Sequence, residues 1–308
     1  CDTEECYVGA VLEHIEECGI HSGDSACCWP PFSLSEKIID QIRDITKKLA
    51  LACGIRGLLN IQYAVRDEHV FVIELNPRAS RTVPFSSKAT GVSLAKHASR
   101  IMAGEKISGL RAQCLLPDEN RTVDYYAVKE AVMPWSRFPG ADSILGPEMK
   151  STGEVMGIAR TFPAAYAKTR EAVENKLPEQ GSVFISVCDR DKRAIAPVAM
   201  ALENLGYGIY TTGGTAKTLR AAGIDCTTVN RISDGHPNVV DLMRDKTVSF
   251  IINTPHGHEA HSDGAKMRAE AVSQGITCVT AMSAATALIQ ALAAARKSEP
   301  ETFALQDL

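Results

Sequence analysis

What this sequence lacks removes several classes of function. No stretch approaches the roughly 18 to 20 consecutive apolar residues that span a bilayer. No N-terminal segment combines basic, apolar and small-residue cleavage regions, so neither a membrane nor secretion is expected. No basic run could follow a phosphate backbone, and 33 basic against 37 acidic side chains leave a net charge of -4, so nucleic acid is not an expected partner. The ten cysteines form no CxxC pair. The adjacent Cys27 and Cys28 suit neither a disulfide framework nor a zinc ribbon, and a reducing compartment fits best. An initiator Met is also missing. The chain opens at Cys1, and Tyr7, Val8, Val11, Leu12 and Ile15 already follow helical spacing, so it reads as starting inside a domain.

What remains is ordinary globular material: 308 residues, 45% apolar and 23% charged, enough for about two domains. Leu34, Ile38, Ile39, Ile42, Ile45, Leu49 and Leu51 predict an amphipathic helix over 34–53, entered at Ser33 or Ser35 and closed by Gly54. Strand-like runs follow at 60–66 and 70–75, then a helix over 92–103 and a Pro/Gly-punctuated stretch over 120–163 with a strand-like piece at 123–128. A charged helical segment and the break at Pro178 place a domain boundary near 172, giving units 1–171 and 172–308. In the second unit, strands at 183–187, 208–212, 226–230, 248–254 and 277–281 alternate with helices. This predicts a five-stranded, parallel, Rossmann-like sheet in a three-layer α/β domain, with ligands at the carboxyl ends of its strands.

The first chemical signal is the hairpin. With a loop of residues 67–69, Arg66 faces Val70, and counting back sets Gln62 opposite Glu74, with Asn76 two residues on. Gln62, Glu74 and Asn76 then share a polar face, while Ile61, Tyr63, Val65, Phe71, Ile73 and Leu75 share the core face. One carboxylate and two amide oxygens suit a hard cation such as Mg²⁺. Arg78 and Arg81 follow, offering positive charge to a transferred phosphoryl group.

The string Glu74-Leu75-Asn76-Pro77-Arg78 after such a hairpin resembles the metal-binding strand of the ATP-grasp superfamily. Residues 60–91, with EHIEECGIHSGDSAC at 13–27 and RFPGADSILGPEMKSTGEVMG at 137–157, are similar in particular to the C-terminal part of the carbamoyl phosphate synthetase large-subunit family. The resemblance implies that the first unit is the C-terminal portion of an α+β ATP-grasp domain that uses ATP with Mg²⁺ or Mn²⁺ to phosphorylate carbamate. It places Gln62, Glu74 and Asn76 at the metal, Gln62 and Glu74 also at ATP, Arg78 and Arg81 beside the phosphoryl group, and His21 and Ser22 at the nucleotide. The glycine-rich lid and adenine-contacting segment would precede Cys1, so this sequence alone is expected to be inactive. It further implies ammonia from a glutaminase small subunit or a fused glutaminase domain, an oligomer at full length, and a cytoplasmic or organelle-matrix setting.

In the second unit, Thr211-Thr212-Gly213-Gly214-Thr215 lies between a strand and a helix, a phosphate cradle in outline. Ser186 and Lys192 after the first strand, and Asn253 and Thr254 ending the fourth, belong to the same sheet edge. The stretch resembles the methylglyoxal-synthase-like domain of the same family, shared with IMP cyclohydrolases. That implies an allosteric nucleotide, UMP or IMP, on Lys192, Thr212, Gly214 and Thr215, with Arg231 as a second basic contact. It also implies ornithine at Glu16, Asp24, Glu130 and Thr280, although Val279 stands where enteric bacterial relatives carry an acid. The alternatives are a stand-alone methylglyoxal-synthase-like enzyme, for which Asp189 and His236 are loose candidates, an IMP cyclohydrolase, or a pure nucleotide-binding module. The histidines between His256 and His261 invite a zinc reading, and Cys188 a nucleophile; both are set aside as a solvated segment and a structural thiol.

Overall fold

The computed structural model describes residues 1–173, 178–255, 263–297 and 301–307. The protein begins with short strands β1 (Glu13–His14) and β2 (Cys27–Trp29), then helix α1 (Glu36–Ala52). The hairpin β3 (Asn60–Arg66) and β4 (His69–Asn76) follows, then helices α2 (Thr82–Thr90), α3 (Leu94–Met102) and α4 (Ile107–Ala112). Strands β5 (Tyr126–Val132) and β6 (Gly153–Ala159) lead into α5 (Phe162–Ala172).

The second half alternates as expected: β7 (Ser182–Ser186), α6 (Lys192–Asn204), β8 (Gly208–Thr212), α7 (Gly213–Ala221), β9 (Thr227–Val229) and α8 (Val239–Arg244). It continues through β10 (Phe250–Asn253), α9 (Asp263–Gln274), β11 (Thr277–Val279) and α10 (Met282–Ala295). The parallel sheet runs β11-β10-β7-β8-β9. The backbone therefore winds outward from β7 in one direction, then returns to β10 on its other side. That reversal opens a crevice at the carboxyl ends of β7 and β10. One face packs Ile195, Leu202, Leu219, Leu288 and Leu292 from α6, α7 and α10; the other packs Val239, Met243, Met267 and Ala271 from α8 and α9.

The N-terminal segment departs from expectation. Residues 5–12 are neither helix nor strand, because their apolar side chains serve different cores: Tyr7 packs beside Val92 and Ile101, Val11 beside Ile38 and Ile42, and Ile15 elsewhere again. The i, i+4 spacing is therefore a coincidence of packing. Helices α2 and α4, not expected from the sequence, occupy short stretches too small to show a clear period.

The first half holds the antiparallel sheet β1-β2-β5-β6. Helix α5 packs on it and, through its opposite side, against α10 of the second half. Ala165, Tyr166 and Phe162 of α5 meet Ala284, Ala287 and Ala291 of α10 in one buried cluster, the small side chains letting the helices approach closely. Gly157 lets β6 approach α5: a Cβ there would lie 2.4 Å from the Ala165 carbonyl oxygen and 2.9 Å from Lys168 Cβ. Gly157→Ala should thus cost roughly 1–3 kcal/mol of stability, as overpacking does. Gly153→Ala, whose new methyl would meet nothing nearer than 3.9 Å, should be tolerated. Urea denaturation of the two variants checks the contrast, and equal midpoints would show that α5 is not held this closely.

Candidate functional site

The hairpin closes on two residues, not three. Asp67 and Glu68 both take positive φ, 50° and 62°, the left-handed pair of a type I′ turn, and Arg66 pairs with His69. A bulge between Gln62 and Tyr63 then shifts the register by one and restores Gln62 opposite Glu74. Between turn and bulge, the shorter turn sets the β4 side chains one place off the expected faces. Phe71 pairs with Ala64 and is 53% exposed, whereas Tyr63 and Val70 pack towards α1. The expected core placement of Val65, Phe71 and Ile73 is therefore corrected; Val65 and Ile73 are also exposed.

At the far end of the hairpin, Asn76 Nδ2 donates to Glu74 Oε1 at 3.0 Å. Among the described residues no lysine or arginine pairs with the exposed Glu74, and the buried Nε2 of Gln62 has no partner. Two amides and one unneutralised carboxylate are hard-oxygen donors, which fits Mg²⁺ or Mn²⁺ and not a thiolate- or imidazole-seeking metal. No group of three His, Cys, Asp or Glu gathers among the described residues. The His256–His261 motif lies outside them.

Arg78 turns its guanidinium to the Ala79 carbonyl at 3.0 Å. Arg81 is held by the Ser151 carbonyl and hydroxyl at 3.0 and 3.2 Å. Ser151 is in turn fixed by Asp24, whose carboxylate accepts the N–H groups of Lys150 and Ser151 at 2.7 and 2.9 Å. His21 Nδ1 accepts from Gly23 N at 3.0 Å, and the His21 carbonyl caps the turn that follows. The Ser22 carbonyl receives the fully buried Lys129 Nζ at 3.0 Å. The 21–25 loop thus ties His21 and Ser22 to Arg81 through Asp24 and Ser151. A larger cavity of about 440 Å³ takes in Ser22 and Gln62 but is lined mainly by apolar side chains and not by Glu74, Asn76 or either arginine.

Behind this loop sits an acidic pair, Glu130 buried and Glu16 partly so. Glu130 accepts from Thr169 Oγ1 at 2.8 Å and pairs with the buried Arg170, which also reaches Thr277 Oγ1 at 3.5 Å. Glu16 accepts from Ala26 N at 2.5 Å. Burial, with the Glu130 charge added, pushes the Glu16 carboxyl up to about 8. Asp24 stands apart from this pair in its bonding, with both oxygens engaged by backbone, and Thr280 is half-buried at the end of β11.

In the second half, Ser186, Lys192, Thr212, Gly214, Thr215, Arg231, Asn253 and Thr254 all line one cavity of about 370 Å³ at the carboxyl ends of β7, β8, β9 and β10. Helix α7 begins there after Thr212, without a side-chain cap on its first N–H groups. Lys192 Nζ pairs with Asp189 and lies over Gly214, where an added Cβ would be 3.6 Å away. Thr215 Oγ1 accepts from Val187 N, and Thr254 Oγ1 from Cys188 N. Cys188 Sγ lies 3.1 Å from Asp191 Oδ2. His236 does not line this cavity; its Nδ1 is 2.6 Å from Asp241 Oδ2 at the start of α8.

Residues 4–110 match the family model for the carbamoyl-phosphate synthase L chain ATP binding domain, and residues 194–280 that for the MGS-like domain. The carbamoyl phosphate synthase large chain of Pasteurella multocida is 45% identical over 100% of this sequence. Over its whole length the sequence matches carbamoyl phosphate synthase large chains. It aligns at 47% identity, again over its full length, with the large chain of Pseudomonas syringae pv. tomato, and spans 28% of each of these two relatives. It also spans 58% of the C-terminal section of the large chain from Aquifex aeolicus, at 44% identity over 97% of the present sequence. The family is one of ATP-dependent ligases, and the protein matches its C-terminal region, with an ATP binding domain match followed by an MGS-like domain match.

Sequence reasoning did not find Asp142, Ser151, Lys129 or Arg268. Asp142 and Ser151 stand within the 137–157 string, but their partners lie more than a hundred residues away. The raised carboxyl of Glu16 makes a test of the acidic pair. Between about pH 4.5 and about 8 the unfolded state has lost this proton and the folded state keeps it, so wild-type stability should fall as pH rises through that window, by up to ~1.4 kcal/mol per unit. In Glu16→Gln this contribution is gone, and the variant should gain on wild type progressively up to about pH 8. A stability difference that is flat with pH would show that Glu16 is not held protonated.

Proposed function

We propose that this protein forms part of the site at which a carbamoyl phosphate synthetase phosphorylates carbamate with ATP, and that its second half binds a regulatory nucleotide. The first reading is supported chiefly by one observation: the unneutralised Glu74, joined to Asn76 and opposite Gln62, at the start of a segment that delivers Arg78 and Arg81. Gln62, Glu74 and Asn76 would hold Mg²⁺ or Mn²⁺, which when bound supplies neutralisation of phosphate charge. Arg81, fixed by Ser151 and Asp24, offers a guanidinium already oriented before charge develops on the transferred group. Arg78, bonded to its neighbour's carbonyl, is suited to clasp a phosphoryl oxygen once present. His21 and Ser22 stand on the nucleotide side. Ammonia from a glutaminase subunit or fused domain, and an oligomeric full-length enzyme, complete the reading. In that enzyme, Glu74→Gln and Asn76→Asp should each shift the Mg²⁺ dependence of turnover by at least the ~10-fold that loss of a supporting group costs. Unchanged Mg²⁺ dependence in both would sink the assignment.

The regulatory reading is supported by the convergence of a lysine, three threonines and an uncapped helix start in one cavity. The phosphate of UMP, or of IMP as second candidate, would take Lys192, Thr212, Thr215 and the N–H groups opening α7. Asn253, Thr254, Ser186 and Arg231 would face the remainder. The cavity also contains Asp189, but the nominated histidine of a methylglyoxal-synthase-like enzyme is elsewhere. Ornithine would sit at the Glu16–Glu130 pair with Thr280, its ammonium groups compensating charge that burial disfavours. Because α10 buries one side on α5, nucleotide titration requires the intact protein. A Lys192→Ala, Thr215→Ala double variant should bind UMP at least ~10-fold more weakly, since charge-assisted hydrogen bonds contribute about 1.5–3 kcal/mol. Undiminished affinity by calorimetry would rule out this pocket.

A further inference from the structure

One side chain of the nucleotide cavity reaches out of the second half altogether. Arg268 of α9 is 3% exposed and spends its guanidinium three ways. Nη1 donates to Asn253 Oδ1 at 2.8 Å, inside the cavity. Nε and Nη2 form a bidentate fork on Asp142, at 2.7 and 2.8 Å. Asn253 is held at its other end as well, Nδ2 donating to the Ser186 carbonyl at 2.9 Å. A ligand that draws on the Asn253 amide therefore competes with Arg268 for it.

Asp142 lies in a stretch without helix or strand, 142–151, whose path is fixed by bonds within it and by pins from outside. Asp142 Oδ1 also accepts from Ile144 N at 3.0 Å, and the Ile144 carbonyl accepts Lys150 Nζ at 2.7 Å. The Gly146 carbonyl receives His21 N at 2.8 Å. At the far end, Lys150 N and Ser151 N bind Asp24, and Ser151 holds Arg81. Burial works to raise the Asp142 carboxyl, yet Arg268 and the Ile144 N–H outweigh it and hold it below its ordinary value. The fork is thus a charged contact that persists at neutral pH.

We propose that the 142–151 segment is the physical link between the nucleotide cavity and Arg81, with Arg268 and Asp142 as its positioning pair. This rests on the regulatory reading above. The segment is tied internally from Asp142 to Ile144 and from Ile144 to Lys150, and is anchored to His21 and Asp24, so a shift of Arg268 is passed along these bonds to both His21 and Ser151. A ligand alters Arg81 through it only to the extent that it binds one placement of Arg268 better than another. Asp142 does not line the cavity, which separates binding from transmission.

In the full-length enzyme, Asp142→Asn should bind UMP within about threefold of wild type by calorimetry, the scatter expected of a group outside the site. The UMP-induced change in ATP affinity should be lost. Asp142→Glu, which keeps the charge but moves the fork by one methylene, should lose the response in part, and serves if the Asn variant unfolds. An intact response in Asp142→Asn with intact binding overturns the link. Loss of binding together with response would make Asp142 part of the cavity's own support and overturns it too. Wild-type enzyme that binds no UMP overturns the regulatory reading itself, a distinct result.

Discussion

The close approach of α5 to its two neighbours is the constraint on which the arrangement of both halves depends. Gly157 lets β6 come against the α5 backbone, and the alanines of α10 let that helix lie against the opposite side. With α5 fixed, Thr169 and Arg170 at its end are delivered to Glu130 on β5, and Arg170 can extend to Thr277 on β11. The buried charges follow from this geometry. Lys129 and Glu130 are adjacent on β5, so their side chains point to opposite faces: one reaches the Ser22 carbonyl, the other is met by Arg170. Each is paired or hydrogen-bonded, as a charge removed from water must be. Small residues, rather than large apolar ones, thereby determine where the ionised groups stand.

The second half was legible because each level of its sequence agrees with the next. Short β-rich runs alternate with helical ones, and a parallel sheet places their connections at one edge, so Ser186, Lys192, Thr212 and Asn253 could be brought together by topology alone. The hairpin was legible only in part. Gln62 does face Glu74, but by two compensating departures: a turn one residue shorter than expected, and a bulge that restores the count. The polar run Asp67-Glu68-His69 did not show which two residues would form the turn, and so Phe71 was expected on the wrong face. The first fifteen residues misled for the opposite reason, since a true apolar spacing there serves three separate cores.

Asp24 illustrates what no pattern could supply. By resemblance it belongs with Glu16 and Glu130; by bonding it organises the Lys150–Ser151 backbone and, through it, Arg81. A carboxylate that satisfies two backbone donors acts as a cap for an irregular segment, and which donors it finds depends on contacts 126 and 127 residues distant. The same holds for Arg268, which is an ordinary helical arginine in sequence and becomes informative only when Asp142 arrives beside it.

The pairing of Lys192 with Asp189 has a consequence for selectivity. The lysine that faces the start of α7 already has an anion at hand, the Asp189 side chain three residues earlier. Any incoming molecule must therefore outcompete a tethered carboxylate whose local concentration is high and constant. A single negative charge, or a neutral sugar and base, offers little over what is displaced, whereas a doubly charged phosphate with three acceptor oxygens offers more. On the regulatory reading, Asp189 would in this way set a threshold of charge for entry, both by engaging the lysine and by adding its own negative charge to the cavity wall.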